Sequence, residues 1–178
     1  QWGRKPFSGG ISERIEWKLN NKTLERSYYR AVIDEELFLF AIAADLRTYE
    51  NLSNSTYKTY SAITEILTTA NRVFHQEVML NSDGSWVFQP GAWTDHPDYA
   101  YVGNTEKNEL MEPKKINGIA ADASHSSRFP LWINSLLAAN SQNSEECKYY
   151  ENLLGGLEKQ FVERVLVSPV RISATSGQ

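Results

Sequence analysis

The chain contains three histidines, and each lies in a polar part of the sequence. His75 precedes a glutamine and a glutamate, His96 lies within Asp95–Tyr101, and His125 lies within Asp122–Arg128. Imidazole is the side chain best suited to transfer protons near neutral pH, and neighbouring carboxylates and phenols can share that work. If the three segments meet in space, they supply the groups for acid–base chemistry.

Two further features favour a ligand with an acidic group and a flat apolar surface. Arg128 lies at a predicted helix start, where backbone N–H groups attract anions, and its guanidinium fits a carboxylate or sulfate. Trp86, Trp93 and Tyr101 have faces that stack on the C–H surfaces of sugar rings. Each feature also has a purely structural alternative, in which the arginine is a solvated surface residue and the aromatic residues anchor a loop to the fold.

A metal site built from these residues is weakly supported. His75, His96 and His125 together with Asp95 or Asp98 match no standard spacing of metal ligands. One cysteine and three histidines exclude a Cys-rich zinc module and an internal disulfide. We therefore predict no metal and no cofactor.

Apolar periodicity in the first half of the chain predicts three helices. A short amphipathic segment covers Ile11–Leu19, and a longer element covers about Leu24–Tyr49. The centre of that element, Leu37–Ala44, is apolar on every face, which is typical of a helix buried on most sides. A third helix has apolar residues at spacings of three and four and is predicted to end near Leu80.

A long connection and two more helices follow. Residues 81–121 show no sustained periodicity but are rich in aromatic residues, so we interpret them as an ordered functional loop with one short strand at 86–88. Pro130 belongs in a first helical turn, which makes Ser126 or Ser127 the expected N-cap. The last helix is predicted to end at Ser168. If the helices on either side of the loop are antiparallel neighbours, the three histidine segments converge at one end of the fold.

Length and composition restrict the fold class and the partners. With 178 residues, the chain is predicted to form a single all-α domain of helical hairpins over residues 1–178. The net charge of −4 gives no basic excess for binding nucleic acid. No apolar run reaches the roughly 20 residues that cross a bilayer, so we predict no membrane partner. The chain starts at Gln1 without an initiator methionine, which indicates a mature secreted or periplasmic product, or a fragment of a longer protein.

Two stretches carry a resemblance to a known class of enzymes. Asp83–Trp86 leading to His96–Asn104, and Ser124–Trp132, resemble motifs of the (α/α)-toroid enzymes that act on extracellular polysaccharides. The resemblance implies a bundle or partial (α/α) toroid whose aromatic, His- and Arg-bearing loops lie at one end. Toroids of this type need more hairpins than 178 residues supply, so the chain would be a fragment or a reduced relative.

The resemblance implies an acidic polysaccharide or oligosaccharide as substrate, and two mechanisms compete. In a lyase, Arg and Asn side chains neutralise a uronate carboxylate, a histidine removes the neighbouring proton, and a tyrosine protonates the leaving oxygen. The residues that match these roles are, in that order, Arg128 and Asn104, His125 or His96, and Tyr99 or Tyr101.

In a hydrolase, two carboxylates act as acid and as base or nucleophile, chosen from Asp95, Asp98, Asp122 and Glu77. The residue inventory slightly favours the lyase. In the alternative function, the chain is a non-catalytic secreted or periplasmic binding or inhibitor module, and its aromatic loop contacts a protein partner.

Overall fold

A computed structural model describes residues 7–20, 31–53, 61–90, 123–167 and 171–172. The described chain is mostly helical, which confirms the predicted all-α class. Its α-helices are α1 (Gly10–Asn20), α2 (Asp34–Ser53), α3 (Ser61–Glu77), α4 (Phe129–Ala139) and α5 (Glu145–Gln160). A 3-10 helix at Ala123–Arg128 precedes α4, and a π-helical turn at Phe161–Val165 follows α5. No helix in these ranges is long and apolar enough to cross a membrane.

The described chain also contains two short antiparallel strand pairs. Strand β1 (Val78–Leu80) pairs with β2 (Trp86–Phe88), and β3 (Leu166–Val167) pairs with β4 (Arg171–Ile172). The tight turn of the first hairpin uses Gly84 at a φ of +85°, a conformation that glycine adopts without strain. Strand β2 confirms the short strand predicted at 86–88.

Several predicted helix boundaries are wrong, and the reasons are contacts distant in sequence. Helix α2 begins at Asp34, because Ala31 and Val32 form hydrogen bonds to Arg14 and Gln89 instead of joining the helix, and the N–H of Ile33 donates to Glu36 in its first turn. The predicted start near Leu24 lies outside the described residues. Helix α3 ends at Glu77, three residues early, because the next three residues pair with β2.

The ends of α4 and α5 also differ from the prediction. Helix α4 has Arg128 as its N-cap, with no side-chain cap bond, in place of either serine. Helix α5 begins behind Ser144, whose hydroxyl accepts a hydrogen bond from the backbone N–H of Cys147. It ends at Gln160, where a π-helical turn replaces its predicted last turns.

Helices α2 and α4 run side by side in the same direction and form the most extensive helix–helix contact of the fold. Arg128, just before α4, forms an ion pair with Asp34, the first residue of α2, at 2.7 Å. One turn further along each helix, the rings of Phe38 and Trp132 meet edge to face with centroids 5.4 Å apart. Helix α3 returns antiparallel along α2, as the bond from Arg47 to Thr64 shows.

A buried polar network fixes the segment that leads into α2. Arg14 of α1 donates to the carbonyl of Ala31 at 2.7 Å and forms an ion pair with Glu36 at 2.6 Å. The other carboxylate oxygen of Glu36 accepts from the backbone N–H of Ile33 at 2.8 Å, which satisfies a donor at the helix start. The side chains of Arg14 and Glu36 are 0% and 3% exposed, so water does not screen their charges.

Gln89 completes this network from the end of the first hairpin. Its side-chain amide accepts from the N–H of Val32 at 2.8 Å and donates to the carbonyl of the same residue at 2.7 Å. The amide therefore pairs with the backbone as a neighbouring strand would. Gln89 is buried and has a φ of +48°, a strained conformation for a residue with a side chain, which the surrounding bonds must hold in place.

The hairpin packs tightly against α5 through a glycine. A Cβ atom at Gly156 would lie 2.5 Å from the carbonyl oxygen of Gly84 and 2.7 Å from Cδ1 of Trp86. The neighbouring Gly155 is exposed, and nothing lies within 4 Å of a Cβ there. The Gly155-Gly156 pair therefore has one residue that the packing requires and one that it does not.

Substitution of these two glycines by alanine should change stability in opposite directions. Gly156→Ala forces the hairpin away from α5 and should lower the free energy of unfolding by about 1–3 kcal/mol. Gly155→Ala only improves helix propensity and should raise it by up to about 1 kcal/mol. Urea unfolding of both variants measures the difference, and equal effects would show that the hairpin does not pack on Gly156.

Removal of Arg14 should be far more damaging than removal of an exposed arginine. Arg14→Met leaves the Glu36 carboxylate buried without its ion pair and should cost about 3–5 kcal/mol of stability. Arg72→Met is the matched control, because it breaks an ion pair to Glu16 whose side chains are 39% and 43% exposed. That pair should contribute about 0–1 kcal/mol. Similar losses in urea unfolding of the two variants would contradict the role given to the buried network.

Candidate functional site

Most of the predicted site residues lie outside the described residues. This applies to the whole 91–122 segment and therefore to His96, Asp98, Tyr99, Asn104, Asp122, Trp93 and Tyr101, as well as Asp95. The backbone of His125 lies in the 3-10 helix before α4. The side chains of Arg128 and Trp86 are described, and both have defined partners.

Arg128 lies at the start of α4, as the sequence predicted, and also beside the start of α2. Its guanidinium donates to the Asp34 carboxylate at 2.7 Å and lies 5.4 Å from the centre of the Phe38 ring. The side chain is 40% exposed. An arginine stacked on an aromatic ring and paired with a carboxylate fixes the α2–α4 contact, and its charge is already partly neutralised.

Trp86 lies in the core and has no exposed face for a sugar ring. It is 3% exposed, and its indole N–H donates to the carbonyl of Leu153 at 2.8 Å. Its ring meets Phe129 edge to face, with centroids 5.2 Å apart. In this structure Trp86 therefore anchors the hairpin to the helices, the structural alternative that the sequence left open.

The polar residues at the end of α3 are also held by structural contacts. His75 stacks on Tyr149 with ring centroids 4.0 Å apart, and Glu77 forms a 2.6 Å ion pair with Lys18 of α1. Burial raises the pKa of Tyr149 to about 12, so its hydroxyl stays protonated and donates to the carbonyl of Phe74. Within the described chain, the hydrogen bonds, ion pairs and ring contacts of His75, Glu77 and Arg128 do not connect them to one another.

The ends of α3 and α4 nevertheless lie on the same side of the core, with strand β2 between them. Phe74 in the last turns of α3 contacts Phe88 of β2, with ring centroids 5.6 Å apart. Phe88 in turn contacts Phe129, the first residue of α4, at 5.3 Å. The geometry thus brings together the two points at which the long aromatic segment leaves and rejoins the described fold.

The outer face of α2 is an exposed apolar surface that the sequence analysis missed. The inner face, which includes Leu37 and Phe40, is buried against α3 and α4. The opposite face carries large apolar side chains at spacings of four, four and three residues. We call these residues the α2 stripe: Phe38, Ile42, Leu46 and Tyr49, which are 37%, 56%, 48% and 66% exposed.

The expectation that the Leu37–Ala44 segment is buried on most sides holds for five of its eight residues, whereas Phe38, Leu39 and Ile42 are exposed. A signal for the outer face was present in the sequence. The inner set of apolar residues stops at Ala44 and is followed by polar Thr48, while the outer set continues through Leu46, Tyr49 and the 79% exposed Leu52. A helix whose second apolar face extends beyond its buried face has more apolar surface than its own core uses.

The described side chains contain no group of three His, Cys, Asp or Glu residues that could hold a metal ion. No protein-family model matches the sequence, and neither a curated protein nor a solved structure is significantly similar to it. The described residues form a mostly helical fold in which one face of α2 exposes a row of large apolar side chains.

Proposed function

We propose that the chain is a non-catalytic interaction module that binds a helical segment of a partner protein along the α2 stripe. The observation that carries this proposal is the exposure of four large apolar residues in line on one helix. Scattered exposed apolar residues are normal, whereas a contiguous exposed set marks an interaction surface. A straight stripe at helical spacing matches the pattern by which an amphipathic helix lies against another helix.

The contacts that hold α2 in place support this proposal. Glu36 in its first turn pairs with Arg14 and accepts the N–H of Ile33. Gln89 binds the backbone of Val32 just before the helix, and the inner face of α2 is buried against two other helices. A binding face on a rigid element loses little conformational entropy when the partner binds.

The residue types of the surface also favour a protein partner. Tyr49, 66% exposed, offers a large rigid contact area, and Arg128 lies over the face of the partly exposed Phe38 ring. Tyrosine and arginine are among the residues that contribute most to protein–protein binding energy. The alternative function predicted from the sequence assigned this role to the aromatic loop, and the described structure provides a second surface for it on α2.

A charge introduced into the stripe should weaken partner binding without unfolding the protein. Ile42→Asp removes an apolar side chain from the centre of the interface and places a carboxylate there, so affinity should fall by at least about tenfold. Ile42 is 56% exposed, and the helix propensities of isoleucine and aspartate are similar, so stability should change little. The measurement is affinity capture from the native source, combined with photo-crosslinking from α2 and identification of the crosslinked segment.

Leu80→Asp is the matched control for this experiment. Leu80 is a 57% exposed apolar residue in the hairpin, away from α2 in the sequence and on a different element. The proposal expects a partner protein that wild type and the Leu80→Asp variant capture and the Ile42→Asp variant does not. The crosslinked part of this partner should be an amphipathic helical segment. Equal retention by all three proteins, or capture of nothing that depends on Ile42, contradicts it.

A second candidate function is a polysaccharide lyase or hydrolase acting on an acidic substrate. The observation in its favour is that the ends of α3 and α4 lie on one side of the core, joined through Phe88. This is the placement that would bring the His96 and His125 segments together. Arg128 at the start of α4, with 40% of its side chain exposed, would have to bind a substrate carboxylate in addition to Asp34.

Activity on uronate polymers would distinguish this candidate from the interaction module. A lyase should produce new absorbance at roughly 230–235 nm from a conjugated double bond, and His125→Ala and Tyr99→Phe should each lower its rate about 10²–10⁴-fold. Reducing ends without that absorbance would indicate a hydrolase and direct attention to Asp98 and Asp122. If the chain is an interaction module, the purified protein should produce neither the absorbance nor reducing ends from any acidic polysaccharide tested.

A further inference from the structure

Helix α2 carries an excess of negative charge. Helix α2 carries five carboxylates and a single basic residue, Arg47. Glu35 and Asp45 are exposed, and Glu50 is half-buried. Asp45 lies three residues after Ile42 and four before Tyr49, so it borders the stripe at its centre.

Among the described residues, the two arginines next to the stripe are already paired. Arg47 lies 3.8 Å from the Glu50 carboxylate and donates to the hydroxyl of Thr64. Arg128, at the N-terminal end of the stripe, is paired with Asp34. Once these pairs are counted, Glu35 and Asp45 leave the described part of this surface with a net negative charge.

From this arrangement we infer that the partner segment is a basic amphipathic helix, whose apolar residues cover the α2 stripe and whose Lys or Arg side chains face Glu35 and Asp45. The inference rests on the proposed function and adds the charge of the partner. Long basic side chains can lie along an apolar surface while their charged ends reach carboxylates at its edge. Opposite charges at the rim also speed association and select against partners of the same sign.

Two other occupants of the stripe are disfavoured by the same charges. If a second copy packed α2 against α2, the carboxylates of one copy would border those of the other, and α2 offers no unpaired exposed cation to compensate. An anionic membrane surface would be repelled for the same reason, although it would accept the apolar residues. A basic helix satisfies both the apolar and the electrostatic character of the surface.

The test uses two synthetic helical peptides with the same leucine stripe and either lysine or glutamate flanks. Fluorescence anisotropy should show that wild type binds the lysine peptide at least about tenfold more tightly, and that this preference shrinks as salt screens the charges. The variant Glu35→Lys/Asp45→Lys should reverse the preference. Ile42→Asp should weaken the binding of both peptides, because it disrupts the shared apolar contact.

Each contrary outcome has a distinct meaning. Equal binding of the two peptides, lost in Ile42→Asp, would overturn the basic partner but leave the α2 interface standing. Binding of the lysine peptide that Ile42→Asp does not weaken would be non-specific attraction and would contradict both proposals. Tighter binding to phosphatidylglycerol vesicles, a dimer in sedimentation velocity that Ile42→Asp dissociates, or binding of neither peptide would overturn the basic-helix inference.

Discussion

The ion pair between Arg14 and Glu36 is the interaction on which the arrangement of the helices most depends. Glu36 joins α1 to the start of α2, because one carboxylate oxygen meets Arg14 and the other accepts the N–H of Ile33. Arg14 also holds the carbonyl of Ala31, and Gln89 binds the residue between these two backbone groups. Each of these groups is costly to bury alone, so the network stabilises the fold only when all of its members are in place.

The orientation of the exposed face of α2 follows from this constraint. The network fixes where α2 begins, and the Arg128–Asp34 pair aligns α4 beside it. The side chains of α2 that point inward are then buried, and those that point outward form the stripe. The ion pairs of Lys18 with Glu77 and of Arg72 with Glu16 attach α1 to α3. Helix α1 therefore contacts α3 as well as the start of α2. The exposed apolar stripe therefore lies on a helix whose start is held by several described ion pairs and hydrogen bonds.

Local patterns predicted the elements of this fold well, and partnerships between distant residues were beyond their reach. The spacing of apolar residues predicted α1, α3 and α5, and Pro130 marked the first turn of α4. Sequence could not show that Val78–Leu80 would leave α3 to pair with β2, because the pairing competes with a helix that the same residues could extend.

The same limit applies to the candidate site. An all-apolar run such as Leu37–Ala44 predicts burial on most sides but does not reveal which side the fold leaves exposed. Arg128 illustrates the complementary case. A helix start beside an arginine suits an anion, and the anion found there is Asp34 of the same chain, with Phe38 beneath the guanidinium. A substrate carboxylate at this position would have to share or displace that internal partner, whereas a helix bound along the α2 stripe requires no described contact to break.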